Sequence, residues 1–534
     1  MATQPAAHKT MYHYAYRRAG DQDAATPAHR PVVVVGAGPV GLSVAIDLAL
    51  RGIDTVILDD ADRIGEGSRG ICYSKRTLEI WDRLGVGEDL VARGVTWQLG
   101  KVYRGDDLVY SFDLLPEDGH KMPAFINMQQ YAVEKELVDR ALQLERIDMR
   151  WKNKVTGIEH HNDGARLTID TPDGPYRLDA EWVLAADGAR STVRDLLGLG
   201  FEGVQFHDKF LIADVHMQAD LPTERRFWFD PTFHSGQSAL LHRQPDNVWR
   251  LDLQLGPEAD VTVEQTPERV IPRLERALNG RPFELEWVSI YQFNCRRLER
   301  FVHGRVVFLG DSAHQVSPFG ARGCNSGVQD AENLAWKLAA ILGGEAGPHL
   351  LESYDGERRQ AADENIAHST RSTDFIAPHS VAEHRLREAV LDLAPHAEFA
   401  RRMVNSGRLS TATVYDTPLS TPDENQFGGS ARLGAPAPDA PMRRDGRHCH
   451  LLDMLGRGFE LLYVADGTRP VIPEGISMMV IGDDIVDSSG RFTERFDARP
   501  GSAYLLRPDQ HLCARWRSFD AGKVRAARLR ALGN

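Results

Sequence analysis

The sequence is short of cysteine, of long apolar runs and of positive charge, and each shortage removes a class of function. Five cysteines, Cys72, Cys295, Cys324, Cys449 and Cys513, are spread over 534 residues and never spaced as CxxC. That odd, scattered set excludes a disulfide framework and a zinc site, and it fits a reducing, cytoplasmic setting. A formal net charge of -13, with no compensating basic run, argues against nucleic-acid binding. The longest apolar run, from Val32, is broken by glycines, Pro39 and Asp47, so no membrane span is expected. The first thirty residues are polar and lack the apolar centre of a signal peptide, which reads as an arm packed on the surface.

What is present begins with "VVVVGAGPVGLSVAIDLALRGIDTVILDD", residues 32–60. Val32 to Val35 is a β-branched run bounded by glycine, the pattern of a buried parallel strand. Gly36, Gly38 and Gly41 follow as GxGxxG. The first permits a tight turn, the second lets backbone approach a pyrophosphate, and the third lets the next helix pack closely. A helix from Leu42 to Arg51 aims its positive end at the phosphates, Gly52 ends it, and a second strand runs from Thr55 to Leu58. Asp59, about twenty residues beyond the glycines, can accept hydrogen bonds from a ribose. NAD and FAD use the same cradle, so this stretch does not choose between them.

Length predicts two to four domains. A helix is expected from about Lys75. Residues 97–128 and 205–293 alternate ("KFLIADVHM", "RRFWFD", "VWRLDLQL") as a mostly antiparallel sheet does, with "QPDN" as a hairpin turn. "RVVFLGDSAH" reads as a buried strand ending in a tight turn, with a helix from about Ser326 to Leu342. The organisation expected is an arm (1–30), a discontinuous α/β unit (31–96, 129–204 and 294–375), an inserted sheet unit (97–128 and 205–293), helices and a linker (376–431), and a small α/β unit (432–534). His448, Cys449 and His450 lack further ligands nearby and read as plain strand, so no metal is expected.

Two further stretches settle the cofactor. "WVLAADGARSTVRDLLGLGFEG" places Asp187, Gly188, Ser191 and Arg194 at a strand-to-helix turn, and "RVVFLGDSAHQVSPFGARGCNSGVQDAENLAWKLA" places Gly310 and Asp311 at another. From about Val32 to Leu342 the chain resembles the group A flavoprotein monooxygenases, single-component FAD-dependent aromatic hydroxylases. The resemblance implies a Rossmann-like FAD-binding domain with an inserted antiparallel substrate domain. It assigns the adenosine half of FAD to Gly36, Gly38, Gly41 and Asp59, further cofactor contacts to Arg69, Gln130, Asp187 and Gly188, and the ribityl chain to Gly310 and Asp311. Pro318 and the loop Gly320, Gly323, Cys324 and Asn325 would lie beside the isoalloxazine. Many relatives carry Gly-Gly-Gln-Gly in that loop, where this chain has Gly320, Ala321, Arg322 and Gly323. The tail resembles the thioredoxin-like C-terminal domain of the phenol hydroxylase and 3-(3-hydroxyphenyl)propionate hydroxylase branch. Without CxxC it runs no dithiol chemistry, which leaves packing or a homodimer contact as its role.

The resemblance further implies that NADH or NADPH reduces FAD, that reduced flavin captures O2, and that the C4a-hydroperoxide so formed hydroxylates an electron-rich ring. The substrate expected is a small phenol or monocyclic phenolic acid. The alternatives are a larger polycyclic aromatic and a flavin-binding protein that does not turn over. A phenol needs a tuned group to take its proton. The phenol hydroxylase branch uses an Asp shortly after the ribityl-side loop, and here Ile71, Cys72 and Tyr73 are the approximate equivalents. Candidate bases are therefore His216, His234, His242 and Tyr291. Arg243, Arg250 and Arg322 are candidate anchors for an anionic substrate, and either Trp228 or Phe229, on opposite faces of one strand, can stack on a ring.

Overall fold

The structure is a computed structural model that describes residues 12–65, 70–161, 163–404 and 409–534. Arg69 and residues 1–11 of the expected arm lie outside the described residues.

Ten elements build the nucleotide-binding unit: β1 (Ala28–Val35), α1 (Pro39–Leu50), β2 (Thr55–Asp59), α2 (Lys75–Leu84), α3 (Gln130–Leu142), β3 (Ile147–Trp151), β4 (Tyr176–Ala185), β5 (Val306–Phe308), α4 (Gly323–Leu342) and α5 (Leu350–Ile376). Strands β5, β4, β1, β2 and β3 lie side by side and run parallel, with Val32 opposite Thr55 and Val33 opposite Val183. Val32, Val33 and Val34 are fully buried, as the unbroken apolar run requires when helices cover both faces. Helix α1 starts at Pro39, three residues before the expected Leu42. Proline suits that position because it lacks an N–H and its φ is already helical. Helix α4 likewise starts at Gly323 rather than Ser326.

A second eight-stranded sheet lies against this unit, running Asp107–Asp113, Leu99–Arg104, Arg225–Phe229, Ser238–Arg243, Val248–Leu255, Glu202–His216, Glu284–Arg297 and His314–Gln315 in spatial order. All its pairs are antiparallel except Leu99–Arg104 with Arg225–Phe229. "QPDN" is the hairpin between two of its strands, with Asp246 and Asn247 both at φ +58°, the left-handed pair that matches strand twist. One face of the sheet, carrying Leu211, Ala213, Val215, Leu251 and Leu253, is sealed by Val270 and Leu274 of the helix Pro267–Ala277. The other, inner face looks toward the nucleotide-binding unit. Phe125–Asn127, expected in this sheet, instead forms a separate three-stranded sheet with Cys72–Ser74 and Val95–Trp97.

The C-terminal unit holds a mixed four-stranded sheet in the order Ile476–Ile481, Phe459–Val464, Ala503–Leu506 and Leu512–Trp516, backed by the helix Ala521–Ala531. Its first pair is parallel and the other two are antiparallel. The turn Arg507–Gln510 docks it onto α2, α4 and α5. Glu357 accepts from Arg507 (2.7 Å), Lys337 (2.8 Å), Asn333 (2.6 Å) and Thr417 (2.7 Å), all but Thr417 buried. Asp509 accepts from Arg507 and from Trp336 Nε1 (3.0 Å), and Arg76 bridges Glu332 to the Asp509 carbonyl. Removing one partner of such a buried set strands the remaining charges. Glu357→Gln is therefore expected to lower stability by about 3–5 kcal/mol, read as a lower midpoint in thermal unfolding. An unchanged midpoint would show that the clamp contributes nothing.

Candidate functional site

The phosphate cradle is shaped by backbone that admits no side chain. Gly36 has φ +107°, and a Cβ there would sit 2.5 Å from the Ala186 carbonyl oxygen. At Gly41 a Cβ would sit 2.0 Å from the Gly36 carbonyl oxygen. Asp59 closes the loop from beneath, accepting from Ala37 N (2.7 Å) and Ala61 N (2.9 Å), and burial raises its pKa. Gln130 and Glu134 of α3 grip the neighbouring segment from both sides: Gly70 N donates to Gln130 (2.9 Å) and Gly65 N to Glu134 (3.1 Å).

The two later turns are stitched together. Gly188 (φ +77°) and Gly310 (φ +64°) both take left-handed backbone. Arg194 donates to the Ala189 and Ser312 carbonyls, and Gln315 donates to that of Ala189 (2.9 Å). Asp187 Oδ2 accepts from Val193 N (3.0 Å), while its buried Oδ1 has no hydrogen-bond partner among the described residues. Beneath Gly310 lies Asp330, fully buried, which accepts from Gly310 N (2.8 Å), His314 Nε2 (2.7 Å) and Arg358 Nε (2.5 Å). Burial opposes its ionisation, yet His314 and Arg358 hold its pKa below the usual carboxylate range. Asp311 projects from the same turn, exposed.

The loop before α4 delivers the helix N-terminus to this line of turns, with its first N–H groups unbonded within the helix. The Pro318 carbonyl accepts from Ala321 N (3.0 Å), and Gly320 has φ +113°. Asn325 is spent on structure: it accepts from Ser74 N (2.9 Å) and donates to the Cys72 (2.9 Å) and Ala321 (2.6 Å) carbonyls. Cys324 is half-buried beside Asp311 and Glu134, and burial pushes its thiol up. Glycine cradle, orphaned Asp187 oxygen and open helix end lie in sequence along the carboxyl ends of the parallel strands. That arrangement fits an extended dinucleotide such as FAD.

Between the loop and the inner face of the sheet is a cavity. Phe319 packs on Phe210 (4.9 Å) and Phe293 (5.8 Å). Phe227 and Phe229 line it with Lys101, Arg225, Arg322, Arg371 and Arg402, and no carboxylate is among its described lining residues. Arg322 is buried and donates to Asn365 (3.0 Å), and burial draws its pKa down to about 10. Deeper on the same face, opposite Cys72, lie His242, Arg250, Asp214 and Asp252. Arg250 is paired with Asp214 (2.8 Å). Burial keeps His242 neutral, with its pKa far below the usual value, helped by Arg225 and Arg250.

The remaining expected residues fall elsewhere. Arg243 and Trp228 turn to the outer face, over Trp249 (5.7 Å) and against Tyr103 (5.3 Å). His216 pairs with Glu286 (3.0 Å) at the end of its strand, His234 donates to the Gln254 carbonyl (2.7 Å), and Tyr291 leans on Trp287 (6.3 Å). Arg225 and Asp252 were not anticipated. The signal for Asp252 is the polar stripe Arg250, Asp252, Gln254 alternating with Leu251, Leu253 and Leu255, in a strand covered on both faces.

Gly41→Ala is expected to yield folded protein without flavin absorbance, because its Cβ collides with backbone that cannot yield; full FAD content in that variant would refute the cradle.

The sequence matches the family described as "FAD binding domain" over residues 29–369. A 12-dehydrotetracycline 5-monooxygenase/anhydrotetracycline 6-monooxygenase of Streptomyces rimosus is 30% identical, over 90% of this chain and 94% of its own. A 3-(3-hydroxy-phenyl)propionate/3-hydroxycinnamic acid hydroxylase of Mycolicibacterium smegmatis is 26% identical, over 91% and 90%. Among solved structures, the flavin-dependent monooxygenase PieE, in complex with FAD and substrate, superposes with TM-score 0.80 at 22% identity, covering 95% of this chain and all of that one. The chain belongs to the family of single-component, FAD-dependent aromatic hydroxylases, which take NAD(P)H and O2 as co-substrates.

Proposed function

We propose that the chain hydroxylates a phenolic aromatic that also carries an acidic group. The observation that carries this reading is the cavity between Phe319 and the inner face: phenylalanine rings for stacking, and two buried cations, Arg225 and Arg322, that pair with no carboxylate among the described residues, whereas Lys101 is paired with Glu224 and Arg371 is exposed. Burying an unpaired cation is costly, so a lining of this kind favours an anionic occupant that pairs with it. A monocyclic phenolic acid satisfies the charge. A polycyclic phenol is the second reading, supported by the lining that reaches from Gly320 in the loop past His368 and Ile376 of α5 to Met403 and Val404, and by the tetracycline chemistry in the name of one relative.

Bound FAD supplies the oxygen chemistry, with electrons from NAD(P)H and one atom of O2. The residues of the chain do the rest. Asp59 and the glycine cradle hold the adenosine half, and Asp187, Gly310 and the α4 N-terminus hold the remainder. Phe227, Phe229 and Phe319 press the ring flat and exclude water. Arg322 fixes the acidic group, so that the ring faces the loop in one orientation.

The experiment is NADH and NADPH oxidation by the holoenzyme with 3-hydroxybenzoate, 3-(3-hydroxyphenyl)propionate, 4-nitrophenol and anhydrotetracycline, with products read by mass. Acceleration by an acidic phenol, with a gain of one oxygen atom, is expected, and the corresponding methyl ester or neutral phenol should react more slowly. In Arg322→Met the preference for the anion is expected to shrink through a rise in KM of about 30-fold or more, the cost of truncating one partner of a buried charge pair. Absence of acceleration by any aromatic would overturn the reading.

A further inference from the structure

Resting on the hydroxylase reading, the geometry points to Asp252 as the group that accepts the proton of the substrate's ring hydroxyl. Arg225 and Arg250 flank the oxyanion that this leaves.

Three observations carry it. The first is position. Asp252 stands on the strand Val248–Leu255, on the face shared with Phe227 and Arg225, and it looks across to Cys72 on the short strand Cys72–Ser74. The Cys72 carbonyl is tied to Asn325 at the α4 N-terminus. Asp252 thus faces the segment that is tied to the α4 N-terminus.

The second is incomplete satisfaction. Asp252 Oδ1 and His242 Nδ1 are buried without a partner, and among the described residues the Arg225 guanidinium donates no hydrogen bond, although the residue is only 8% exposed. Buried polar groups in native folds are almost always paired. Three adjacent unpaired groups of complementary kind mark a place kept for a ligand that brings its own donor and acceptor.

The third is exclusion. Asp214 is taken by Arg250 (2.8 and 3.1 Å) and Gln244 (3.3 Å). Glu224 is held by Lys101 (2.9 Å) and Arg226 (2.8 Å). Burial raises the Cys72 thiol to about 11, too high to ionise at neutral pH.

The groups facing Asp252 are Arg225, Arg250, Asp214 and Cys72, with His242 beyond the two arginines. Burial raises the carboxyl to about 6 and Asp214 adds to the rise, while Arg250 and Arg225 restrain it. It is ionised, and a proton acceptor, at neutral pH. In the step, the O–H bond of the ring hydroxyl breaks and its electron pair stays on oxygen as phenolate. The proton bonds to the Asp252 carboxylate, which becomes neutral, and it returns to the product oxygen after the ring is hydroxylated. A phenol near pKa 10 gives up its proton to such a carboxylate only with cationic help. Arg225 and Arg250 provide that help.

The test uses holoenzyme, whichever phenol of the panel it hydroxylates, and the ring-fluorinated, more acidic analogue of that phenol. Wild-type kcat/KM is expected to rise about tenfold per pH unit up to the Asp252 titration and then level. In Asp252→Asn this limb disappears, and kcat/KM for the parent phenol falls by roughly 10²–10⁴, the usual contribution of general base catalysis. The fluorinated analogue loses far less. Asp252→Glu keeps the limb at reduced rate.

A stability readout separates catalysis from structure. The folded carboxyl titrates above its unfolded value of 3.8, so ionisation costs stability as pH rises through about 6. Asp252→Asn should therefore melt no lower than wild type at pH 8, and the two midpoints should converge toward pH 4. The proposal is overturned if Asp252→Asn keeps the wild-type rate and acid limb, or if it loses both phenols equally while melting lower. A wild-type enzyme that no phenol accelerates fails at the earlier step, before any variant is made.

Discussion

The architecture hangs on a buried ionic seam between α4 and α5. Asp330 and Glu357 sit in it, and each carboxylate is matched by cations and further donors that leave no oxygen idle. Charges without exposure are tolerated only when paired and hydrogen-bonded this fully. Both helices are amphipathic in an unusual sense: the polar stripe faces inward, against a second polar stripe. Neither helix can shift without breaking several charge-assisted bonds at once. Asp330 passes that rigidity to the Gly310 turn and Glu357 passes it to the Arg507–Gln510 turn. One seam therefore fixes both the cofactor-facing loop and the docking of the C-terminal unit.

The inner face of the second sheet follows the opposite rule. Arg225, His242 and Asp252 are buried with partners missing, and Asp252 is held well above its ordinary pKa. A sheet selected only for stability would carry leucine there, as its outer face does at Leu251 and Leu253. Stability is forgone where the pocket needs groups that remain available. The rigid seam behind the flavin loop allows this, because the strained face does not have to hold the elements together.

Much of the frame was legible in the sequence, for a physical reason: its signals are contiguous. The Val32–Val35 run, the three glycines and the strand-to-turn units at Asp187 and Gly310 each carry their geometry within a few residues, so the α/β fold and its cofactor could be read from them. "QPDN" declared its hairpin in the same way. Sheet-borne residues are different. Alternation says that Trp228 and Phe229 face opposite ways but not which one faces the cavity, and the structure turns Trp228 outward. Arg243 and His242 divide by the same rule. Which face is inner depends on how the helix Pro267–Ala277 packs and on the approach of Cys72–Ser74, neither of which is encoded near these residues. Glu357 in "SYDGERRQ" reads locally as one more charge on a solvated helix. Only docking of the C-terminal turn makes it a hub.

Arg322 shows how seam and pocket meet. It stands in the cofactor-facing loop itself and lines the cavity. Asn365 of α5 holds it at 3.0 Å, and burial lowers its pKa without discharging it. Asn365 also donates to Ser326 Oγ, which in turn accepts from Arg358. The cation lining the cavity is thereby tethered to the same seam that sets the Gly310 turn, so its distance from the cofactor-facing loop is fixed by the fold rather than by the ligand. A charge held in this way can discriminate among substrates by position, because an anion must come to it. The unpaired groups on the sheet then meet a ring whose orientation has already been chosen.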